Sequence, residues 1–410
     1  MSKELLVCDL TQSWSASGGG GITTYLKQKR EHFLANTPHR LMQIIPGPED
    51  RITKEGRYTR IEVAGKPVIG SPNYRWISRT GKVYDLLAEY QPDILESLCP
   101  WVLPWVAIRH RWRFPQTALV AGYRTDFPNA HVDRVAKDMF GDAAGQVFVD
   151  LSYFYARHTY RWFDRVYTLN SKAKDMFAGL DIHQTGVLPL GVNLDRFSPD
   201  LRDPDYRQQL GLPPGDGPLL IYAGRIDNEK GAAVLVDMFR QLPPDLGAAM
   251  VLVGDGKLRT ELMEKSHDLP IAFPGYQADR GLMARALASA DIYVSGMQYE
   301  TFGISVLEAQ ASGLPVVGVN GGAMSDRVPA GTGLLGPIDD AKAMADNVVR
   351  AWREDYPAMR AAAIANADRS NRWKDTFDQL VEVEYKAALE ARDRRLGQAG
   401  KAVSGTWQTN

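Results

Sequence analysis

Short apolar runs bounded by turn residues recur through the first half of the chain, at residues 5–8, 41–45, 94–95, 118–121 and 166–169. Helix-length stretches separate them, as alternating strand and helix units require. The pattern restarts at residues 219–223, 250–253, 271–273, 292–295 and 316–319, with helical stretches at 232–242 and 282–290. Such alternation builds parallel sheets, so each half reads as α/β. Residues 187–199, with their Gly and Pro residues and Asn193, suit a crossover between the halves. After Pro337 the pattern is helical to about Arg395; from Gly397 to Asn410 apolar periodicity ends, which predicts a mobile tail.

The most specific chemical signal is Glu-Thr-Phe-Gly-Ile-Ser-Val-Leu-Glu, which sets Glu300 and Glu308 between a predicted strand and a predicted helix. Their spacing is a little over two helical turns, so a helix beginning near Gly303 carries Glu308 and leaves Glu300 on the loop. The amides of Phe302, Gly303 and Ile304 are then expected to face a pocket at the sheet's C-terminal edge, where a helix N-terminus favours a diphosphate. Glu308 suits two hydrogen bonds from adjacent ribose hydroxyls. Glu300 is expected at the sugar.

After the strand at 219–223, Ala-Gly-Arg-Ile-Asp-Asn-Glu-Lys-Gly places Arg225 and Lys230 around a glycine-flanked turn. Two cations fixed on a diphosphate stabilise the charge that grows as a sugar leaves, in place of a metal ion. In the first half, Gly20 and Gly21 end a run of four glycines before a helical pattern, and such residues let backbone amides approach phosphate or sugar. Arg124 and Asp126 follow the strand at 118–121, on the same sheet edge, and are acceptor-side candidates.

Composition narrows the class. The net charge of -1 lacks the basic surplus of a nucleic-acid binder. The charge is unevenly spread: residues 1–190 carry 24 Lys and Arg against 19 Asp and Glu, and the remainder 24 against 30. Cys8 and Cys99 lie beside apolar strand residues, which makes neither a disulfide framework nor a cysteine metal site and suits a cytoplasmic protein. No export signal or membrane span is read, and no histidines have metal spacing, so no metal is expected. Two clusters mix bases with aromatics, one of Arg109, His110, Arg111, Trp112 and Arg113, the other of Arg157, His158, Arg161, Trp162 and Arg165. These suit peripheral contact with an anionic membrane surface, such as the inner face of the cell membrane.

Together these residues resemble family 4 of the nucleotide-sugar glycosyltransferases, whose GT-B fold has two facing Rossmann-like, doubly wound parallel-sheet domains with a cleft between them. Glu300 and Glu308 are similar to the family's E-x7-E signature, and Gly224-Arg225 with Lys230-Gly231 to its phosphate loop. Val253-Gly-Asp-Gly256 looks like the turn after the next strand, Gly275-Tyr276 the segment beside the base, Gly191 to Phe197 the linker, and Gly20-Gly21-Ile22 the glycine loop. The resemblance implies an acceptor-side domain at 1–190, a nucleotide-sugar domain at 191–370, a helix at 371–396 crossing back to the first domain, and a tail at 397–410. It implies transfer with retention, without a metal or an enzyme nucleophile, with the nucleotide sugar as co-substrate. Glu300, Arg225, Lys230 and Asp126 would be catalytic; Gly20, Gly21, Gly224, Tyr276, Phe302, Gly303, Ile304 and Glu308 complete the donor site. A UDP-sugar donor and a lipid acceptor such as diacylglycerol are expected, with a polysaccharide or small-molecule acceptor as the alternative. A sugar-nucleotide epimerase and a non-catalytic nucleotide-sugar sensor are the rival readings. Where the family often carries His, this chain has Arg124, a permanent cation expected to hold an anionic group on donor or acceptor.

Overall fold

The computed structural model describes residues 4–14, 21–68, 71–124, 127–128, 142–370 and 372–405. The chain divides into two compact units, residues 1–190 with 373–410, and residues 191–372.

The first unit opens with β1 (Leu6–Leu10), α1 (Gly21–Asn36) and β2 (Arg40–Gly47). Four strands follow: β3 (Arg51–Glu55), β4 (Tyr58–Ala64), β5 (Lys66–Val68) and β6 (Ser71–Trp76). Next come α2 (Thr80–Tyr90), β7 (Ile94–Ser97), α3 (Leu103–Arg113), β8 (Ala118–Tyr123), α4 (Asp142–Tyr160), β9 (Arg165–Thr168), α5 (Ser171–Gly179) and β10 (Thr185–Val187). Eight of these strands form one sheet in the order β10-β9-β8-β7-β1-β2-β4-β3, parallel throughout except that β3 runs against β4. The strand order reverses at β1, which has β2 on one side and β7 on the other, and such a reversal opens a crevice at the strands' C-terminal ends.

The second unit holds β11 (Leu219–Ala223), α6 (Ala232–Arg240), β12 (Ala249–Val253), α7 (Arg259–Lys265), β13 (Ile271–Gly275), α8 (Arg280–Ser289), β14 (Ile292–Ser295), α9 (Ile304–Ala311), β15 (Val316–Val319) and β16 (Gly333–Gly336). Two longer helices, α10 (Ala341–Arg353) and α11 (Tyr356–Asp368), follow, and short helical turns at Tyr206–Gln209 and Met324–Arg327 join the loops. Its sheet is wholly parallel in the order β13-β12-β11-β14-β15-β16, so the reversal lies between β11 and β14. Leu220, Leu252, Ile292, Val294 and Val317 from these strands pack with Leu235, Phe239 and Val348 of the helices into one apolar core.

The chain then returns to the first unit through α12 (Trp373–Gln379), one π-helical stretch (Leu380–Tyr385) and α13 (Lys386–Gly405). Trp373 and Phe377 pack on Tyr25 of α1. The last helix thus runs past Arg395, where helical pattern was expected to stop, through Gly397 and on to Gly405. Extending an established helix costs far less than nucleating one, so neither Gly397 nor the loss of apolar spacing ended it. Residues 406–410 of the expected tail lie outside the described residues. Among the described residues no helix is long and apolar enough to cross a membrane.

Candidate active site

The second unit brings its two sequence motifs to the strand reversal. Arg225 and Lys230 lie on the loop leaving β11; Glu300 lies on the loop leaving β14. The loops touch backbone to backbone. Gly231 has φ +65°, and a Cβ there would meet the Gly296 carbonyl oxygen at 2.3 Å, so only glycine allows the approach. Lys230 Nζ stands 3.9 Å from Glu300 Oε2 as a result. Asp227 accepts from the Lys230 amide at 3.1 Å and fixes the turn that carries both cations. The Arg225 guanidinium donates to Asp227 at 2.5 Å and to Glu229 at 2.7 Å. Both predicted cations are therefore on one short turn, each beside carboxylates.

Glu300 departs from expectation. Its Oε1 accepts from the amides of Thr301, Phe302 and Gly303 at 3.1, 3.3 and 2.9 Å. Two of the three amides expected to receive a diphosphate are thus engaged by Glu300 itself, because a carboxylate just ahead of a helix satisfies its orphan donors and favours its positive end. Gly303, at φ +79°, makes the bend into α9, and Ile304 begins that helix. Phe302 is buried under the Arg327 guanidinium, 4.0 Å from the ring centroid, while Arg327 Nε donates to the Phe302 carbonyl at 2.6 Å. Tyr293 of β14 donates to Ser305 at 2.9 Å and bears on the Ala223 carbonyl at 3.3 Å, joining the start of α9 to the end of β11.

Glu308 lies inside α9 as expected and is buried, and burial raises its pKa while Arg280 opposes the rise. Arg280, the first residue of α8, donates to its Oε1 and lies over the Phe197 ring, 5.2 Å from the centroid. Nothing in local spacing marked Arg280 or Arg327, since each meets its partner only through the fold. Tyr276, just past β13, is exposed. Gly224 donates its amide to Val253 at 3.0 Å and packs against the Tyr222 hydroxyl.

The first unit's candidates fare differently. Asp126 and Gly20 lie outside the described residues, and Gly21 is the first residue of α1. Arg124 is buried, and its guanidinium carbon stands 3.5 Å from the Tyr25 ring centroid. It points into the protein, where a weakly hydrated planar cation is tolerated on an aromatic face. Beneath it lies a buried polar cluster that sequence reading missed. Lys29 Nζ donates to Asp9, to Glu96 at 2.9 Å and to the Tyr385 hydroxyl at 2.6 Å; Tyr167 and Tyr25 donate to Glu96 at 2.6 and 3.1 Å. Gln43 donates to Asp9 at 3.0 Å. Two cations, Lys29 and Arg124, thus accompany two carboxylates in a place closed to water.

The basic clusters also change. His110 and Arg111 are buried, Arg111 beside Asp164, and Arg165 donates to Glu384 at 2.7 Å. Arg109, Arg113, Arg157 and Arg161 remain exposed. Trp105 and Trp112 on α3 are exposed too, as are Val147, Phe148, Leu151 and Phe154 on α4.

Residues 217–354 match the family described as glycosyl transferases group 1. Over 317 residues the chain is 30% identical to a GDP-mannose-dependent alpha-(1-6)-phosphatidylinositol dimannoside mannosyltransferase of Mycobacterium tuberculosis, covering 77% of this chain and 79% of that one. A second protein from that organism, a GDP-mannose-dependent alpha-mannosyltransferase, is 28% identical over 395 residues, covering 92% of this chain and 95% of the other. Among solved structures, sucrose-phosphate synthase from Thermosynechococcus elongatus has the same fold, with a TM-score of 0.73 at 19% identity over 93% of this chain and 99% of that one.

Proposed function

Because the chain belongs to the group 1 glycosyltransferases and has their GT-B fold, we propose that it transfers mannose from GDP-mannose to a membrane glycolipid, with retention of configuration. Transfer of a sugar from a nucleotide sugar follows from the family; the donor base, the sugar and the acceptor are what the proposal adds. The observation that carries it is the meeting of Lys230 and Glu300 at the strand reversal, with Glu308 in α9, the helix that follows Glu300. The relatives' names favour a guanosine donor over the uridine nucleotide expected from sequence.

In this reading Arg225 and Lys230 turn from their carboxylate neighbours to the diphosphate and stabilise the charge that develops there as the bond to the sugar breaks. Glu300 orients the sugar and Glu308 accepts the ribose hydroxyls. The departing phosphate takes the acceptor's proton on the same face, so retention needs neither an enzyme nucleophile nor a metal. Tyr276, exposed beyond β13, is available to the base.

A peripheral membrane contact accompanies a glycolipid acceptor. The apolar residues Val147, Phe148, Leu151 and Phe154 recur at helical spacing on α4, and tryptophans with arginines stand on α3. Aromatic and apolar groups beside exposed arginines suit the headgroup boundary of an anionic bilayer.

Thermal-shift screening with GDP-mannose, UDP-glucose and ADP-glucose tests the donor, and glycolipid-dependent release of nucleotide diphosphate then tests the acceptor. A selective rise with GDP-mannose is expected. A rise with another nucleotide sugar alone would replace the donor, and nucleotide-sugar breakdown without an acceptor would favour an epimerase.

A further inference from the structure

Glu308 sits within α9 between the buried residues Leu307 and Ala309, and a carboxylate there is costly to keep ionised without a counterion. Its counterion comes from another helix. Asp279 caps α8 by accepting from the Gly281 amide at 2.7 Å, which fixes where that helix begins and hence where Arg280 stands. The Arg280 guanidinium bonds Glu308 Oε1 while resting on Phe197, half exposed to solvent. A carboxylate oxygen has two lone-pair sites, so Oε1 can serve Arg280 and one hydroxyl together, leaving Oε2 for a second.

We propose that Arg280 is a positioning residue for the donor, holding the Glu308 carboxylate ionised and in one orientation for the two ribose hydroxyls. This rests on the reading of Glu308 as the ribose acceptor. The groups that face Glu308 electrostatically are Arg280 from α8 and the Tyr293 phenol from β14, which also feels Glu300. Of these only Arg280 is a cation. Burial already raises the Glu308 pKa against Arg280's pull, so removing that pull moves it further up. A protonated Glu308 offers one acceptor fewer, and binding through its ionised form declines roughly tenfold per pH unit below the shifted pKa.

The test is GDP binding by calorimetry between pH 6 and 8 in wild type, Arg280→Gln and Arg280→Lys. GDP's terminal phosphate itself titrates at about pH 6, so each variant is read as a ratio to wild type at the same pH: Arg280→Lys should stay near wild type, whereas Arg280→Gln should fall further below it as pH drops from 8 to 6, by up to about tenfold per pH unit. A loss equal at every pH would overturn the proposal in favour of a direct Arg280 contact with the nucleotide. Unchanged or tighter binding would overturn it as well. Comparing GDP with its 2′,3′-dideoxy analogue in wild type and in Glu308→Gln checks the premise separately. If wild type binds both alike and Glu308→Gln equals wild type, Glu308 is not the ribose acceptor, whatever Arg280→Gln does.

Discussion

Lys230 and Glu300 approach to 3.9 Å although they leave different strands, and the approach depends on the glycine pair Gly231 and Gly296 beneath them. Glu300 has two tasks there, the cation on one oxygen and three amides on the other. Glu300→Gln keeps an amide-accepting oxygen and removes the charge. It should fold as wild type while kcat falls about 10²-fold to 10³-fold, the range seen when one electrostatic contact at a reacting centre is deleted. Steady-state transfer rates with matched circular dichroism check it.

Arg225 is anchored by two carboxylates before any donor arrives, so its loss should leave the fold intact and empty the diphosphate contact. A ligand at 100 times its dissociation constant stabilises by about 2.7 kcal/mol. For Arg225→Ala that nucleotide-sugar shift should largely vanish at the same concentration, with the ligand-free Tm within a degree or two of wild type.

Removing Lys29 has the opposite signature. Lys29→Met leaves Asp9 and Glu96 buried without their shared cation and should cost about 3–5 kcal/mol in urea unfolding of the first unit at pH 7. The sign with pH follows from Asp9, whose pKa burial has already raised to about 6. Between roughly pH 4 and pH 6 the folded state then holds a proton that the unfolded state lacks, so this group's contribution to stability grows as pH falls through that window. Without Lys29 the folded pKa rises further, and the deficit of the variant should shrink on acidification.

Ten of the fourteen strands in the two sheets were legible because buried parallel strands are continuous apolar runs, those at 219–223, 292–295 and 316–319 coinciding with β11, β14 and β15, while β3, β4, β10 and β16 were not read. β3 escaped notice because all five of its residues are exposed and mostly polar, and it is ordered only by pairing with β4. The Glu300 and Glu308 pair was legible from one stretch of chain. Arg280 was not, being 28 residues from Glu308, and Lys29 reads as a solvated helix cation until Glu96 and Tyr385 are folded against it. Arg124 was read outward because nothing in its neighbourhood along the chain announces Tyr25.

The exposed face of α4 carries the membrane part of the proposed function. Replacing Leu151 and Phe154 together with Gln removes two exposed apolar side chains, each able to contribute about 1.5–3 kcal/mol on full burial. Co-sedimentation with vesicles containing anionic phospholipid should fall by at least tenfold, while Tm and donor binding stay unchanged. Equal sedimentation of variant and wild type would sink this part of the reading.

Tyr385 has a consequence for how the chain is made. The first unit's interior is closed by a hydroxyl that donates into Glu96 from a residue 289 positions further along the chain. During synthesis Lys29 and Glu96 emerge early and wait for it, whereas residues 191–372 are complete as a unit before α13 leaves the ribosome. The second unit is therefore free to fold first, as an insertion within a half-built neighbour. A nascent chain stalled short of Tyr385 would hold a finished second unit attached to an unfinished first one, making a stop before residue 373 far more damaging to the first unit than to the second.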